Sequence, residues 1–271
     1  MNKVVLITGA SSGIGKATAL LLAQKDYKVY GAARRLDKMQ DLRNAGIQTL
    51  EMDVTKESEV LSGIEHITKE AEGIDILINN AGFGEYGAIE DVSIEDAKYQ
   101  LDVNLFGAAR LIQQVIPYMR QQHWGKIVNI SSIGGKIATP LGGWYHASKF
   151  ALEGLSDSLR NEVKSFGIDV IVIEPGGIKT EWGTITYDNL MKSANQSNYQ
   201  LLIERFAKAF RATLTKNSAP EIIANLILKA IEARKPATRY SAGYMAKPIL
   251  FMRKIFTDKT IDKIIISQLR E

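Results

Sequence analysis

Val4-Val5-Leu6-Ile7-Thr8-Gly9-Ala10-Ser11-Ser12-Gly13-Ile14-Gly15 decides the fold. An apolar, β-branched run leads straight into a turn that holds three glycines, and over 16–25 the chain takes up a helical period. A strand without polar alternation is one buried on both faces, as in a parallel sheet. Glycines let the backbone approach a ligand closely, and a helix starting just after them offers free N–H groups and partial positive charge. Gly9, Ser11, Ser12, Gly13, Ile14 and Gly15 are therefore expected to cradle the pyrophosphate of a dinucleotide. The spacing is Gly-x-x-x-Gly-x-Gly, not the commoner Gly-x-Gly-x-x-Gly.

The alternation continues outward from this stretch. Val29-Tyr30-Gly31-Ala32, Thr49-Leu50-Glu51-Met52, Ile74-Asp75-Ile76-Leu77-Ile78, Lys126-Ile127-Val128-Asn129-Ile130 and Asp169-Val170-Ile171-Val172-Ile173 read as further strands. Helices are expected over 56–71, 95–121 and 145–165. Strands alternating with helices fold as a doubly wound α/β parallel sheet flanked by helices on both faces. Over 176–198 the pattern gives way to a polar stretch containing Gly, Thr, Asn and Ser, to which no element is assigned. An amphipathic segment near 199–214 follows, and Ala219-Pro220-Glu221 opens another helix to about Arg234. No repeat or linker divides the chain. Residues 1–246 thus read as one dinucleotide-binding domain with a substrate loop over 180–216. The tail 247–271 is helical in period, with Ile, Leu, Phe and Met interleaved with Lys and Arg, and is expected to pack on that same domain. Meeting a partner or touching a membrane surface are the other uses open to it.

Composition excludes several classes. The 271 residues include no cysteine, so disulfides, thiolate metal sites and a Cys nucleophile are ruled out. His66 and His123 have no partners at metal-ligand spacing, and no metal is expected. The net charge is +4 with both signs interspersed, which gives no basic stripe for nucleic acid. No apolar run approaches the roughly 18 to 20 residues of a membrane span. A buried strand begins so soon after Met1 that no signal peptide fits before it, and a cytoplasmic location is the expectation.

Two further stretches carry chemistry. Ala32-Ala33-Arg34-Arg35 closes the second strand. An acid there would accept the ribose 2′-hydroxyl of NAD, whereas small residues followed by two arginines favour a 2′-phosphate through charge-assisted bonds, pointing to NADP(H). Arg34, directly after the strand, is expected to lead and Arg35 to follow; Asp37 lies a turn too late. Tyr145-His146-Ala147-Ser148-Lys149 sets a phenol and an ammonium one helical turn apart on one face. A nearby cation is expected to lower the phenol's pKa from its ordinary value of about 10, toward the range of acid and base work.

Thr8-x-x-x-Gly-x-Gly, Asn79-Asn80-Ala81-Gly82, Asn104, Ser132, Tyr145-x-x-x-Lys149 and Pro175-Gly176, in that order and spacing, together resemble the short-chain dehydrogenase/reductase family. The resemblance runs over about residues 3–180 and implies a Rossmann-type fold. Gly-Ala-Ala-Arg-Arg-Leu after the second strand, Asn104-Leu105-Phe106-Gly107 and Pro175-Gly176-Gly177-Ile178 most resemble its NADP-dependent branch, with the 17β-hydroxysteroid dehydrogenase-like and retinol dehydrogenase-like reductases. It implies Tyr145 as general acid in carbonyl reduction and base in the reverse, and Lys149 as the residue that binds the nicotinamide ribose and tunes Tyr145. Ser132, not Ser131, then holds the substrate carbonyl, and Asn104 holds a water in a relay to Lys149. Asn80, Ala81 and Gly82 are expected at the adenine ribose, and Pro175, Gly176, Ile178 and Thr180 along the nicotinamide. Asp53 and Val54 meet the adenine ring, unless Asp53 caps the next helix.

The resemblance also implies a small carbonyl or alcohol substrate and a homodimer or homotetramer packed through the helices near 95–121 and 145–165. The pocket is expected from 83–95, 134–144 and 180–216, with Phe83, Tyr86, Trp144 and Trp182 either lining it or packing. His146 is read as a flank residue and Glu174 as a packing or capping group. An NADP(H)-sensing regulatory protein without turnover is the alternative from another class. It has no need to keep all four of Asn104, Ser132, Tyr145 and Lys149. A sugar-nucleotide epimerase fits poorly, since little chain is left for a separate substrate domain.

Overall fold

Successive residues of a strand point to opposite faces, and the first strand, β1 (Val4–Thr8), supplies both of the main cores at once. Val5 and Ile7 join one apolar cluster, Val4 and Leu6 the other. The computed structural model describes residues 2–193 and 197–269. Among these, the remaining strands are β2 (Lys28–Ala33), β3 (Gln48–Glu51), β4 (Ile76–Asn79), β5 (Gly125–Ile130), β6 (Ile168–Pro175) and β7 (Arg239–Ala242). The helices are α1 (Gly13–Ala23), α2 (Gln40–Asn44), α3 (Glu57–Ala71), α4 (Ile94–Leu101), α5 (Gly107–Gln121), α6 (Gly143–Val163), α7 (Glu181–Ser193), α8 (Gln200–Leu214), α9 (Glu221–Glu232), α10 (Ala246–Ile255) and α11 (Asp258–Ser267).

The sheet runs β3-β2-β1-β4-β5-β6-β7 with every neighbouring pair parallel. Ala19 and Leu22 of α1 and Ile223 and Ile227 of α9 cover one face. Val60 and Ile64 of α3, Leu111 and Val115 of α5, and Leu159 and Val163 of α6 cover the other. The expected doubly wound sheet with helices on both faces is therefore the fold observed. Strand order reverses between β1 and β4. In such sheets that reversal opens a crevice at the carboxyl ends of the strands, where ligands bind.

Three elements depart from the sequence expectation. The helix expected over 95–121 is broken by a π-turn at Asp102–Phe106 between α4 and α5; π-turns are rare and recur at functional sites. Buried Asn104 sits in this turn, with both ends of its amide bonded to the backbone of Phe83. The polar stretch 176–198 contains α7. Its apolar residues follow no clean period, and the helix is held from outside. Thr186 Oγ1 donates to the carbonyl of Gly84 at 3.5 Å, Asn189 Nδ2 donates to Glu85 at 3.0 Å, and Leu190 is fully buried. The strand β7 (Arg-Tyr-Ser-Ala) lacks a β-branched run, and only pairing with β6, from Val172↔Arg239 to Pro175↔Ala242, makes it a strand. In the tail, Ile261 and Leu269 are buried, and Leu269 joins a third cluster with Tyr86, Leu141, Tyr145 and Phe206.

Candidate active site

The glycine turn is braced from the far side of the strand-order reversal. Thr8 Oγ1 accepts the N–H groups of Asn80 and Ala81 at 3.1 and 3.0 Å. Asn80 Nδ2 donates to the carbonyls of Thr8 and Gly9 at 2.9 and 3.3 Å. Gly9 adopts φ +66°, which glycine reaches without strain. A Cβ on Gly15 would stand 2.5 Å from both Asn80 Nδ2 and the carbonyl oxygen of Gly9, so only glycine lets α1 start this close to β4. At the N-cap of α1, the Ser12 side chain makes no capping bond and no acid stands in the first turn. The first N–H groups of α1 and its partial positive charge thus open into the cleft.

That cleft has a volume of about 610 Å³. Gly9, Ser11, Ser12, Gly13 and Ile14 line it, with Arg34, Arg35, Asp53 and Val54 at one end and Ala81, Gly82, Pro175, Gly176, Ile178 and Thr180 along its length. Asn80, Ser132, Tyr145 and Lys149 line it as well. Gly15 and Asn104 do not; they stand behind the wall, Asn104 behind Gly82, whose added Cβ would meet Asn104 Oδ1 at 3.1 Å and Lys149 Nζ at 3.6 Å.

Several of these side chains also have partners within the protein. The Asn80 amide nitrogen braces the glycine turn, and the residue also lines the cleft where a ribose contact is expected. Asp53 Oδ1 accepts the N–H and hydroxyl of Thr55 at 3.0 and 2.8 Å, closing the turn that leads into α3 instead of capping the helix itself. Arg34 Nη1 donates to the Tyr99 hydroxyl at 2.6 Å, and Arg35 Nη2 to Ser11, Ser12 and Glu181 at 3.3, 3.4 and 2.8 Å. Asn104 also donates to the Ser148 hydroxyl at 3.0 Å, which makes it a buried clamp between the π-turn, the Phe83 loop and α6. Phe83, Tyr86 and Trp182 line the cleft, whereas Trp144 does not. Tyr244, Met245 and Ile249 join the lining from beyond the expected loops, as β7 brings the chain back to the sheet edge and no local pattern marks that return.

At the floor of the cleft, Ser132 caps a short 3₁₀ turn, its hydroxyl accepting from Gly134 N–H at 2.9 Å. The same hydroxyl acts on the phenol of Tyr145, favouring its charged form. Ser131, expected as a strand-end residue, lies just past β5, buried, with its N–H on the carbonyl of Ile173. The expected lowering of the Tyr145 pKa is reversed. The Tyr145 ring lies 5.2 Å from Trp182 and 5.8 Å from Tyr86, centroid to centroid. Burial pushes its pKa up to about 12, and the Ser132 hydroxyl pulls against it. Lys149 Nζ turns to the carbonyl of Ile130 at 2.9 Å, and burial lowers its pKa to about 8, with the charge of Glu153 opposing. At neutral pH the site therefore presents a protonated phenol and a charged lysine side by side.

His146 is a structural pin and not a flank residue. Thr139 N–H donates to Nε2 at 3.0 Å, so the ring proton is on Nδ1, which donates to the carbonyl of Gly134 at 2.9 Å. This ties down the 134–139 loop over Tyr145. Burial first, against the Gly134 bond, depresses the histidine pKa below its ordinary 6.5. A depressed folded value means the stability it confers is present above pH 6.5 and is lost as pH falls through the folded pKa. Replacing His146 with Leu is expected to cost about 1–3 kcal/mol near neutrality. It should also flatten the acid limb of a melting-temperature profile below pH 6.5; an unchanged limb would show that another group sets it.

A glycine turn at a strand-order reversal shares one cleft with a hydroxyl, a phenol and an ammonium, groups that suit nicotinamide-dependent oxidoreductase chemistry. The sequence pattern of the family described as short chain dehydrogenase matches residues 3–189, and the chain belongs to that family, whose members are NAD(P)-dependent oxidoreductases acting on CH–OH and C=O groups. A 3-ketodihydrosphingosine reductase of Bacteroides thetaiotaomicron is 36% identical over 253 residues, 93% of this chain and 91% of that protein. An NADPH-dependent 3-dehydrocapnine reductase of Ornithobacterium rhinotracheale is 31% identical over 99% of this chain and 98% of its own length. The crystal structure of a short-chain dehydrogenase from Streptomyces avermitilis superposes with a TM-score of 0.79 at 28% identity, covering 98% of this chain and 95% of that one. Among the described residues no helix is long and apolar enough to cross a membrane.

Proposed function

We propose that this protein is an NADP(H)-dependent reductase of an apolar ketone, and in reverse a secondary-alcohol dehydrogenase, with Tyr145 as acid and base. The observation that carries the reading is the Tyr145 phenol, sharing one cleft with Ser132 and one turn from Lys149, where the same cleft also holds the glycine turn and two arginines. The chain's residues fit the cofactor. An uncapped helix start and glycines that admit no Cβ suit a pyrophosphate, and Arg34 and Arg35, with no acid at the end of β2, suit a 2′-phosphate.

When bound, the cofactor supplies the hydride. Ser132 donates a hydrogen bond to the substrate oxygen and fixes its direction. Tyr145, protonated at neutral pH, gives that oxygen its proton as negative charge develops there. Lys149 holds the nicotinamide ribose and keeps a positive charge beside the phenol. Asn104 keeps the Phe83 loop and α6 in register, so that Gly82 and Lys149 meet without a side chain between them. Tyr86, Trp182, Phe206 and Phe210 give the substrate end an aromatic wall, which favours an apolar molecule. The names of the two relatives agree, one reducing a 3-keto compound and the other being NADPH-dependent.

The test is a screen of apolar ketones with NADPH or NADH, read as loss of reduced-nicotinamide absorbance. Consumption of NADPH well above NADH with at least one ketone is expected. No consumption with any of them, or a preference for NADH, would count against the reading.

A further inference from the structure

Glu181, the first residue of α7, faces two cations from the turn after β2. Arg35 Nη2 donates to Oε2 at 2.8 Å and Lys38 Nζ to Oε1 at 3.3 Å, a bridge spanning 146 positions of sequence. The same Arg35 Nη2 lies within 3.3 and 3.4 Å of the Ser11 and Ser12 hydroxyls, so its guanidinium rests on the glycine turn. All three charged groups are more than two-fifths exposed, and ion pairs so exposed are weak and readily exchanged. The next residue, Trp182, covers Tyr145 at 5.2 Å and meets Tyr86 edge-on at 6.2 Å. One residue of α7 therefore holds the candidate phosphate site while its neighbour covers the candidate acid.

From this geometry we infer that Glu181 is a cofactor-specificity residue: its carboxylate competes with the 2′-phosphate for Arg35, and through α7 it couples recognition of that phosphate to the cover over Tyr145. The inference rests on the NADP(H) reading above. A phosphate and a carboxylate seek the same planar fork of donors, and two anions at one guanidinium repel each other. A nucleotide with a 2′-phosphate displaces Glu181 from Arg35 and frees the start of α7. A nucleotide with a 2′-hydroxyl brings no charge and leaves the bridge closed. Lys38, bonded to the other carboxylate oxygen, gives Glu181 a second anchor toward which it can withdraw.

The full chain, as wild type and as Glu181→Gln, is titrated by calorimetry with 2′,5′-ADP and with 5′-AMP, which differ in the phosphate and carry no nicotinamide. Glu181→Gln is expected to bind 2′,5′-ADP about fivefold tighter, with 5′-AMP changed less than about twofold. An equal change for both nucleotides, or none for either, would overturn the inference while leaving NADP(H) in place. If wild type fails to prefer 2′,5′-ADP over 5′-AMP, the NADP(H) reading itself falls and this inference falls with it. The coupling has its own readout. Tryptophan emission should change on adding 2′,5′-ADP and not 5′-AMP, and the change should vanish in Trp182→Phe. An emission change that persists in Trp182→Phe would overturn the coupling.

Discussion

Tyr145→Phe is expected to lower ketone reduction about a thousandfold, the scale of a positioned general acid, while NADPH binds as in wild type. The substitution removes one oxygen and keeps the ring that packs between Trp182 and Tyr86, so the fold and the cleft wall persist. What disappears is the proton for the substrate oxygen. The effect belongs on kcat, with the KM for NADPH little changed. A Phe variant that keeps more than a tenth of the activity would move the acid elsewhere. The pH profile adds an independent mark. With its pKa at about 12 the phenol stays protonated across the accessible range, whereas Lys149, at about 8, discharges above that pH. The kcat/KM for reduction should therefore be flat through neutrality and fall above pH 8.

The second large effect concerns stability. Arg239, on β7, donates from Nε to Glu153 at 3.0 Å and from Nη2 to Asp157 at 2.7 Å, and its Nε lies 3.4 Å from Glu174. Glu153 and Glu174 are both buried, with Lys136 as their other cation at 2.7 and 3.8 Å. Removing one partner of a buried pair leaves an uncompensated charge in a poor solvent. Arg239→Ala is thus expected to destabilise by about 3 kcal/mol, a melting-temperature drop of roughly 8 °C for a chain of this size. Its sign with pH is fixed by Glu174. Burial first, then the charge of Glu153, raises that carboxyl above its ordinary 4.5, against Lys136 and Arg239. A raised folded value means the contribution is full below pH 4.5 and is lost as pH rises through the folded pKa. Taking Arg239 away removes one of the groups that hold the value down, so the deficit should be largest at neutral pH and shrink on acidification. A deficit that does not change with pH would assign the loss to packing. Because Lys136 follows the Ser132 turn and Glu153 lies one helical turn beyond Lys149, the same cluster anchors both sides of the acid.

Most of the sheet was legible in the chain because its strands are local apolar runs buried on both faces, and the glycine turn was legible because backbone conformation and close approach demand glycine there. Helical spacing brought Tyr145 and Lys149 forward before any geometry, and the family resemblance added Ser132. β7 and α7 were not legible. Arg-Tyr-Ser-Ala becomes a strand only by pairing with β6, and α7 is held by the Phe83 loop and a buried Leu190. Such partners lie tens of residues away, and no period along the chain records them.

The sequence alone thus determined the fold class and put forward the groups of the candidate site, since residue type and spacing determine what a strand, a turn and one helical face can present. Only the tertiary structure decided how those groups behave. Spacing puts Lys149 beside Tyr145, yet burial under Trp182 and Tyr86 decides that the phenol is raised and not lowered. Position puts Arg34 and Arg35 at the end of β2, yet Tyr99 and Glu181 decide what each one meets. Charge and burial depend on neighbours in space, and for this protein those neighbours come from helices far along the chain.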